Sequence, residues 1–83
     1  MKLMYFAWLR QKLGRGEEQV DVPLDVTDVA GLVDWLRARS ADHAAALERM
    51  DVIRVAVNQE FAVMTTPVAA GDEVAFFPPV TGG

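Results

Sequence analysis

The sequence ends in FFPPVTGG, and its last two residues suit chemistry at the backbone rather than at a side chain. Because glycine has no Cβ, large groups or a narrow channel can approach the carbonyl groups of Gly82 and Gly83 closely. Pro78 and Pro79 fix φ near about −65° and favour an extended chain before the glycines. The carboxylate of Gly83 would therefore stand at the end of a thin segment, where another protein could activate it.

The side chains offer few alternatives for covalent chemistry. The sequence contains no cysteine, which excludes a thiol nucleophile, a zinc–thiolate site and a disulfide on this chain. Its single histidine, His43, lies in SADHAAALERM and is expected to be solvent-facing or half-buried. No phosphate-binding glycine loop and no nucleophile elbow occurs in the sequence. Side-chain catalysis and a metal site are therefore not expected.

Composition narrows the class of protein. A chain of 83 residues with 52% hydrophobic residues predicts one globular domain. The formal net charge is −4 and there is no basic run, so nucleic acid is not an expected partner. No stretch approaches the roughly 20 apolar residues that a membrane helix needs. The start, MKLMYFAWLRQKLG, lacks a cleavage site with small residues. We therefore expect a cytoplasmic protein with no membrane partner.

The first part of the chain predicts a β-hairpin. The continuous apolar run Lys2–Leu9 is typical of a strand that is buried on both faces. Glu18–Leu24 alternates between polar and apolar residues, which predicts a second strand. Between the two strands, Arg10–Gly16 is expected to hold at most a helical turn, because two glycines interrupt it.

The middle of the chain changes to a helical period. Four apolar residues at i, i+3, i+4 and i+7 form one stripe of an amphipathic helix: Val29, Leu32, Val33 and Leu36. Thr27 is the predicted N-cap of this helix. The segment SADHAAALERM predicts either a second, shorter helix with Ser40 as its N-cap or a continuation after a kink.

A period of two returns in the last third of the chain. VIRVAV predicts a strand, and Phe61–Val63 predicts a short returning strand. Asn58 and Gln59 between them are typical of a tight turn, because Asn tolerates the left-handed backbone that such turns require. VAFF predicts the last strand, which ends at Pro78 because proline cannot donate to a strand ladder.

This order, β-β-α-(α)-β-β-β, fits an α+β fold in which one main helix packs across one face of a mixed sheet of about five strands. The topology that satisfies it is a β-grasp, the ubiquitin-like roll. In this roll we expect the first strand at the centre of the sheet and the last strand beside it. Residues 1–77 would form the domain, and residues 78–83 an extended, flexible tail ending in Gly-Gly.

The C-terminal segment GDEVAFFPPVTGG closely resembles the C-terminus of the small subunits of molybdopterin synthase, a family of ubiquitin-like sulfur carriers. AVNQ at Ala56–Gln59 and FAWLRQKLG at Phe6–Gly14 are similar to the same family. Residues 15–50 carry little of its signature, although length and element order agree throughout. The resemblance implies a β-grasp fold and a role in molybdenum cofactor biosynthesis.

The resemblance also implies a reaction cycle centred on Gly83. An activating enzyme similar to the ubiquitin-activating type would use ATP to adenylate the Gly83 carboxylate, and sulfide would convert it to a thiocarboxylate. The large synthase subunit would then receive Gly82 and Gly83 and pass the sulfur to cyclic pyranopterin monophosphate, forming molybdopterin. In this family two large and two small subunits form a heterotetramer. The chain would bind no cofactor itself and would be a carrier rather than an enzyme.

Partner contacts are expected on the last strand and beside it. Alternation should place Phe77 on the open face of the sheet, where ubiquitin-like proteins carry an apolar recognition patch. Exposed aromatic residues grouped on one surface usually mark interfaces. The predicted partner-binding residues are Phe77, Phe61, Phe6, Arg10, Pro78, Pro79, Val80 and Thr81.

Three other functions share some of these features. A sulfur carrier of thiamine thiazole synthesis has the same roll and the same Gly-Gly end but is usually shorter. A ubiquitin-like modifier would instead form isopeptide bonds between Gly83 and lysines of other proteins. A β-grasp interaction domain with an inert tail is the third alternative. Deleting Gly83 would abolish function for carriers and modifiers and would not matter for an inert tail.

Overall fold

The computed structural model describes residues 1–79. The predicted tail is therefore described only at Pro78 and Pro79, and Val80, Thr81, Gly82 and Gly83 lie outside the described residues. Five strands and three helices follow in the order β1 (Lys2–Tyr5), α1 (Trp8–Leu13), β2 (Glu17–Gln19), α2 (Val29–Arg37), α3 (Ala41–Ala46), β3 (Arg54–Val57), β4 (Glu60–Ala62) and β5 (Glu73–Phe77). A 3₁₀ turn at Met50–Val52 precedes β3.

The strands form one mixed sheet in the order β2-β1-β5-β3-β4. β1 and β5 run parallel, and every other pairing is antiparallel. With helices on one face, this arrangement is the predicted β-grasp. The first strand does lie beside the last, as expected. The prediction that β1 is the central strand is wrong, because β5 hydrogen-bonds to both β1 and β3 and occupies the middle of the sheet.

β1 is shorter than predicted and is buried on one face only. Leu3 and Tyr5 are buried, whereas the alternate residues of the strand are half-buried. The strand ends at Tyr5, and Ala7 then takes φ 56° and ψ −132°, which turns the chain into α1. Leu9, which was predicted to lie in the strand, is buried on this helix instead. The apolar run Lys2–Leu9 therefore belongs partly to β1 and partly to α1. Both parts are apolar, which explains why the run resembled one strand buried on both faces.

β2 is also shorter than predicted, but the apolar residues that follow it still pack against the core. The strand covers only Glu17–Gln19, where it pairs with β1. Val20 is buried and Val22 packs against the core, so the alternation correctly indicated burial although it overestimated the paired segment. The backbone then turns, and the Val26 amide donates to the Pro23 carbonyl at 3.0 Å.

Both helices after the hairpin form where they were predicted, with one change of cap. The apolar stripe of α2 is buried, as the spacing indicated. Its N-cap is Asp28 rather than Thr27, because the Asp28 carboxylate accepts a hydrogen bond from the Gly31 amide at 2.8 Å. α3 is a separate helix with the predicted cap, since the Ser40 hydroxyl accepts from the His43 amide at 3.1 Å.

The turn between β3 and β4 has the predicted left-handed backbone. Asn58 has φ 51° and Gln59 has φ 69°. The Asn58 side chain also ties this turn to the start of β5, since its Oδ1 accepts from the Glu73 amide at 3.0 Å and its Nδ2 donates to Asp72 at 3.1 Å. The hairpin is thereby held in register with the central strand.

The core lies between the helices and one face of the sheet. Its largest fully buried side chains are Tyr5, Phe76, Leu3, Leu9, Leu32, Leu36, Leu47, Val29 and Val74. Burial of one such side chain contributes on the order of 1.5–3 kcal/mol. No helix covers the other face of the sheet within residues 1–79, so that face is available for contacts. None of the helices in the same residues is long and apolar enough to cross a membrane.

Candidate functional site

The last strand separates the core from the open face of the sheet. Val74 and Phe76 are completely buried, while the alternate residues of β5 are half-buried on the other side. Phe77 is the last residue of the strand and lies on this open face. The chain leaves the sheet directly after it, at Pro78. The root of the tail and the open face are therefore adjacent.

An aromatic pair occupies the open face next to this exit. The rings of Phe61 and Phe77 lie 6.0 Å apart, centroid to centroid, at an angle of 50°. Phe61 is 84% exposed, which is unusual for a large apolar side chain on a sheet. Arg54, Phe61, Phe77 and Pro79 line one open groove. The described start of the tail thus contributes to the same surface as the aromatic pair.

Ala56 explains how residues from non-adjacent strands can meet. Phe61 lies on β4 and Phe77 on β5, and β3 runs between them. Ala56 on β3 pairs directly with Phe61 on one side and with Ala75 on the other. Because alanine leaves space above the sheet, the two rings can lean toward each other over it. Sequence reasoning missed Ala56, although a small residue at the centre of an alternating strand was a usable signal.

Phe6 extends this surface across β1. Its amide donates to the Phe76 carbonyl at 3.1 Å, which continues the parallel ladder one residue beyond Tyr5. Tyr5 is buried toward the helices, so alternation directs the Phe6 side chain, which is 45% exposed, to the open face. Met4, which pairs with Ala75, lies on the same face. We call Met4, Phe6, Ala56, Phe61, Ala75 and Phe77 the open-face patch.

Arg10 lies on α1 and not on the open-face patch. The residue is exposed, and its guanidinium covers Gly16, where a Cβ would come within 3.2 Å of the Arg10 Cζ. The Gly16 carbonyl in turn accepts from the Tyr5 amide at 2.8 Å. Because β1 and β5 are parallel, α1, which follows β1, begins at the same end of the sheet at which β5 ends. Arg10 is therefore at the tail end of the molecule, beside the patch rather than within it.

The prediction that His43 is solvent-facing or half-buried is wrong, because its side chain is buried. Its Nδ1 lies 2.7 Å from the Ser40 hydroxyl and its Nε2 lies 3.2 Å from Glu18 Oε1. The Glu18 side chain is also buried, and Arg15 contacts its other oxygen at 3.2 Å. Sequence reasoning missed this cluster because β2 and α3 are far apart along the chain. No group of three or more candidate metal ligands occurs within residues 1–79.

Tyr5 carries a buried polar atom close to this cluster. Its hydroxyl finds no hydrogen-bond partner in the part of the chain that the structure describes. Burial raises the pKa of the Tyr5 phenol well above its usual range, and the nearby Glu18 charge adds to the effect. The ring itself stacks on Phe76 with 5.9 Å between centroids. Tyr5 is therefore a core residue and carries no feature of a reactive site.

Comparison with known proteins shows which family the chain belongs to. The model of the ThiS family matches residues 3–83. The chain belongs to the ThiS family. Within it, the chain is 40% identical over 83 residues to the molybdopterin synthase sulfur carrier subunit of Escherichia coli, covering 100% of this chain and 99% of that protein. The resemblance found in the C-terminal segment thus extends over the whole length. Relatives with this name are sulfur carrier subunits of a synthase.

Solved structures of other proteins share the fold. The crystal structure of SAMP1 from Haloferax volcanii has a TM-score of 0.75 and 38% identity, covering 100% of this chain and 98% of that one. A complex of subunits 1 and 2 of molybdopterin-converting factor from Helicobacter pylori contains a chain with a TM-score of 0.63 and 21% identity, covering 99% and 96%. At that identity the second likeness establishes the β-grasp fold alone.

Proposed function

We propose that this chain is the sulfur carrier of a molybdopterin synthase and that it acts through the carboxylate of Gly83. The observation that carries the proposal is the relation to the Escherichia coli carrier subunit, which spans the whole chain at 40% identity. Two features of the molecule support it. The tail leaves the sheet beside the open-face patch, and no cysteine on the chain could carry sulfur instead.

The carboxylate must be activated before it can accept sulfur. A carboxylate oxygen of Gly83 attacks the α-phosphorus of ATP, pyrophosphate leaves, and an acyl-adenylate forms on the activating enzyme. Sulfide then attacks the Gly83 carbonyl, the bond to AMP breaks, and a thiocarboxylate remains. Its sulfur is nucleophilic near neutral pH because it is anionic, as in a thiolate. The absence of Cβ atoms at Gly82 and Gly83 leaves the carbonyl open to both reagents.

The second step takes place on the large synthase subunit. Six residues from Pro78 to Gly83 can span at most about 20 Å, at roughly 3.3 Å per residue, which suffices to reach an active site inside a partner. There the thiocarboxylate gives its sulfur to cyclic pyranopterin monophosphate. A dithiolene contains two sulfurs, so two charged carriers are consumed for each molybdopterin. This stoichiometry suits a heterotetramer of two large and two small subunits.

In this scheme the open-face patch is the docking surface for both partners. Exposed Phe61 and Phe6 and half-buried Phe77 supply aromatic area at the tail root, and such side chains dominate the energetics of interfaces. Arg10 at the same end of the molecule would add a polar contact. Pro78, Pro79, Val80 and Thr81 would line the entry to the partner's channel. We expect the cycle to run in the cytoplasm, with ATP bound by the activating enzyme and not by this chain.

Reconstitution tests the proposal. The wild-type chain, the activating enzyme, ATP, sulfide and the large subunit should together convert cyclic pyranopterin monophosphate to molybdopterin. A chain lacking Gly83 should give no product, and so should a chain with one alanine added after Gly83, which keeps both glycines but moves the carboxylate. Both variants should retain the wild-type circular dichroism spectrum and urea midpoint. Full product with either variant would exclude Gly83 as the sulfur carrier.

A modifier function is the second candidate, and one observation favours it. The chain is also 37% identical over 91 residues to small archaeal modifier protein 1 of Haloferax volcanii. A modifier would use the same acyl-adenylate but transfer Gly83 to a lysine amine instead of to sulfide. Conjugates joined through Gly83 in cell extracts would support this function, whereas free chain with a thiocarboxylate end supports the carrier. A thiamine-pathway carrier would show the same thiocarboxylate but would fail to complement the loss of molybdopterin synthesis.

A further inference from the structure

One cation lies inside the apolar surface at the tail root. Arg54 begins β3 and pairs directly with Phe77 on β5. The residue is exposed, and it lines the groove that Phe61, Phe77 and Pro79 complete. Arg54 therefore lies in the groove at the tail root, beside Phe77, on the surface that a docked partner would cover.

Arg54 also has no anionic partner of its own among residues 1–79. Three other cations in this part of the chain do have one: Lys2 contacts Glu17 at 3.3 Å, Arg15 contacts Glu18 at 3.2 Å, and Arg49 contacts Asp51 at 2.8 Å. Arg37 is held instead by backbone carbonyls, and Arg39 lies over the Trp35 ring. Glu73 is the nearest carboxylate along β5, but it lies at the opposite end of that strand, about 13 Å away at roughly 3.3 Å per residue. Within residues 1–79 the Arg54 guanidinium is exposed and has no ion pair, so these residues leave it open to solvent.

A partner that covers Phe61 and Phe77 has to displace this solvent. An unpaired guanidinium covered by a dry interface weakens binding, because its hydration is lost without compensation. A carboxylate on the partner removes that cost, since it can accept two parallel hydrogen bonds from the planar guanidinium. A purely apolar partner surface would be penalised at the same position.

We propose that the large synthase subunit presents an aspartate or glutamate to Arg54, so that this residue selects the partner by charge. The inference rests on the proposed function, because it takes the large subunit as the protein that covers the open-face patch. It adds a specificity determinant that is separate from the tail: Arg54 acts on docking and has no part in the chemistry of Gly83. Charge complementarity of this kind also speeds association.

Binding to the purified large subunit of the same organism tests the inference, measured by surface plasmon resonance in about 50 mM and about 500 mM NaCl. Arg54→Met removes the charge and keeps an apolar stem, and Arg54→Glu reverses the charge. The matched control is Arg49→Met, which removes an exposed arginine that is paired within the chain. We expect Arg54→Met to weaken binding about tenfold and Arg54→Glu about a hundredfold at low salt, with smaller effects at high salt. The control should bind as wild type does.

A double-mutant cycle identifies the partner group. Each aspartate and glutamate on the large subunit's exposed surface is changed to its amide and combined with Arg54→Met. For one of them the two effects should be strongly non-additive, as expected for groups in direct contact. Equal binding of Arg54→Met and wild type at both salt concentrations would overturn the inference, as would a cycle with no coupled carboxylate. Failure of the wild-type chain itself to bind would instead contradict the proposed function, so the two failures are distinguishable.

Discussion

The rings of Phe61 and Phe77 meet 6.0 Å apart on the open face although their strands are not neighbours. β3 lies between their strands, and on this face it contributes Ala56, which pairs with Phe61 and has only a methyl group, and Arg54, which pairs with Phe77. An exposed aromatic pair at the point where the tail leaves the sheet has no function in the core. We propose that a partner covers this surface.

Replacing Phe77 with alanine should weaken binding to the large subunit while leaving the domain folded. Truncation of a central aromatic residue typically reduces affinity by about tenfold or more. The free energy of unfolding should fall by no more than about 1 kcal/mol, because the side chain is not part of the buried core. Isothermal titration calorimetry and urea unfolding measure the two effects.

The neighbouring residue supplies the control for this experiment. Phe76 is completely buried, so Phe76→Ala should cost about 3–5 kcal/mol of unfolding free energy. If Phe77→Ala lowers the urea midpoint as much as Phe76→Ala does, the assignment of Phe77 to an open face is wrong. If Phe77→Ala leaves both stability and binding unchanged, the patch is not the docking surface.

Replacing Tyr5 with phenylalanine should not destabilise the protein at neutral pH. The Tyr5 hydroxyl is buried without a partner among residues 1–79, and removing an unsatisfied polar group is neutral or stabilising by up to about 1 kcal/mol. The stacking on Phe76 is retained in the variant. A loss above about 1 kcal/mol in urea unfolding would mean that the hydroxyl is in fact bonded.

The same substitution should change how stability depends on alkaline pH. Burial raises the pKa of Tyr5 in the folded state, whereas an unfolded tyrosine ionises near about pH 10. Below that pH both states are protonated and the group has no effect. Above it the unfolded state loses its proton first, so stability decreases as pH rises toward the folded pKa. Between about pH 9 and 11 the urea midpoint should therefore fall more steeply for wild type than for Tyr5→Phe.

Replacing His43 with alanine should lower the free energy of unfolding, although the residue lies on a short helix. His43 contacts both Ser40 and Glu18, and in His43→Ala the buried Glu18 carboxylate keeps only Arg15. We expect a loss of about 2–4 kcal/mol in unfolding free energy at neutral pH, from the broken contacts and the cavity. Asp42→Glu on the same helix is the control and should be nearly neutral. A loss below about 0.5 kcal/mol for His43→Ala would show that the cluster contributes little.

Replacing Gln59 with glycine should stabilise the β3–β4 hairpin. Gln59 has φ 69°, a left-handed conformation that costs a non-glycine residue about 1 kcal/mol. Glycine adopts it without strain, and Asn-Gly is the preferred pair for this turn. The thermal midpoint should rise, and binding to the large subunit should not change. A lower midpoint would mean that the Gln59 side chain makes a contact that outweighs the strain.

The sequence predicted those parts of the fold that depend on local patterns. The apolar stripe of α2, the Ser40 cap, the Asn58–Gln59 turn and the alternation of β5 each appear as expected. The end of β1 was not predictable from the apolar run, because burial on a strand and burial on α1 produce the same pattern. The positive φ of Ala7, which separates the two elements, has no signal in an alanine.

The candidate site was predictable in part for a similar reason. Alternation alone directs Phe77 to the face opposite Phe76, and a short strand after a tight turn exposes Phe61. The approach of these two rings, and the placement of Arg54 beside Phe77, depend on the register of three strands. The contact between Glu18 and His43 likewise joins β2 to α3, and no local pattern encodes it.

The most direct test of the account is the intact mass of the chain after incubation with ATP, sulfide and the activating enzyme. We expect a gain of about 16 Da, the difference between one sulfur and one oxygen atom, as Gly83 becomes a nucleophilic thiocarboxylate. The chain lacking Gly83 should show no gain. An unchanged mass for the wild type, with an enzyme that charges a known carrier in the same assay, would contradict the account.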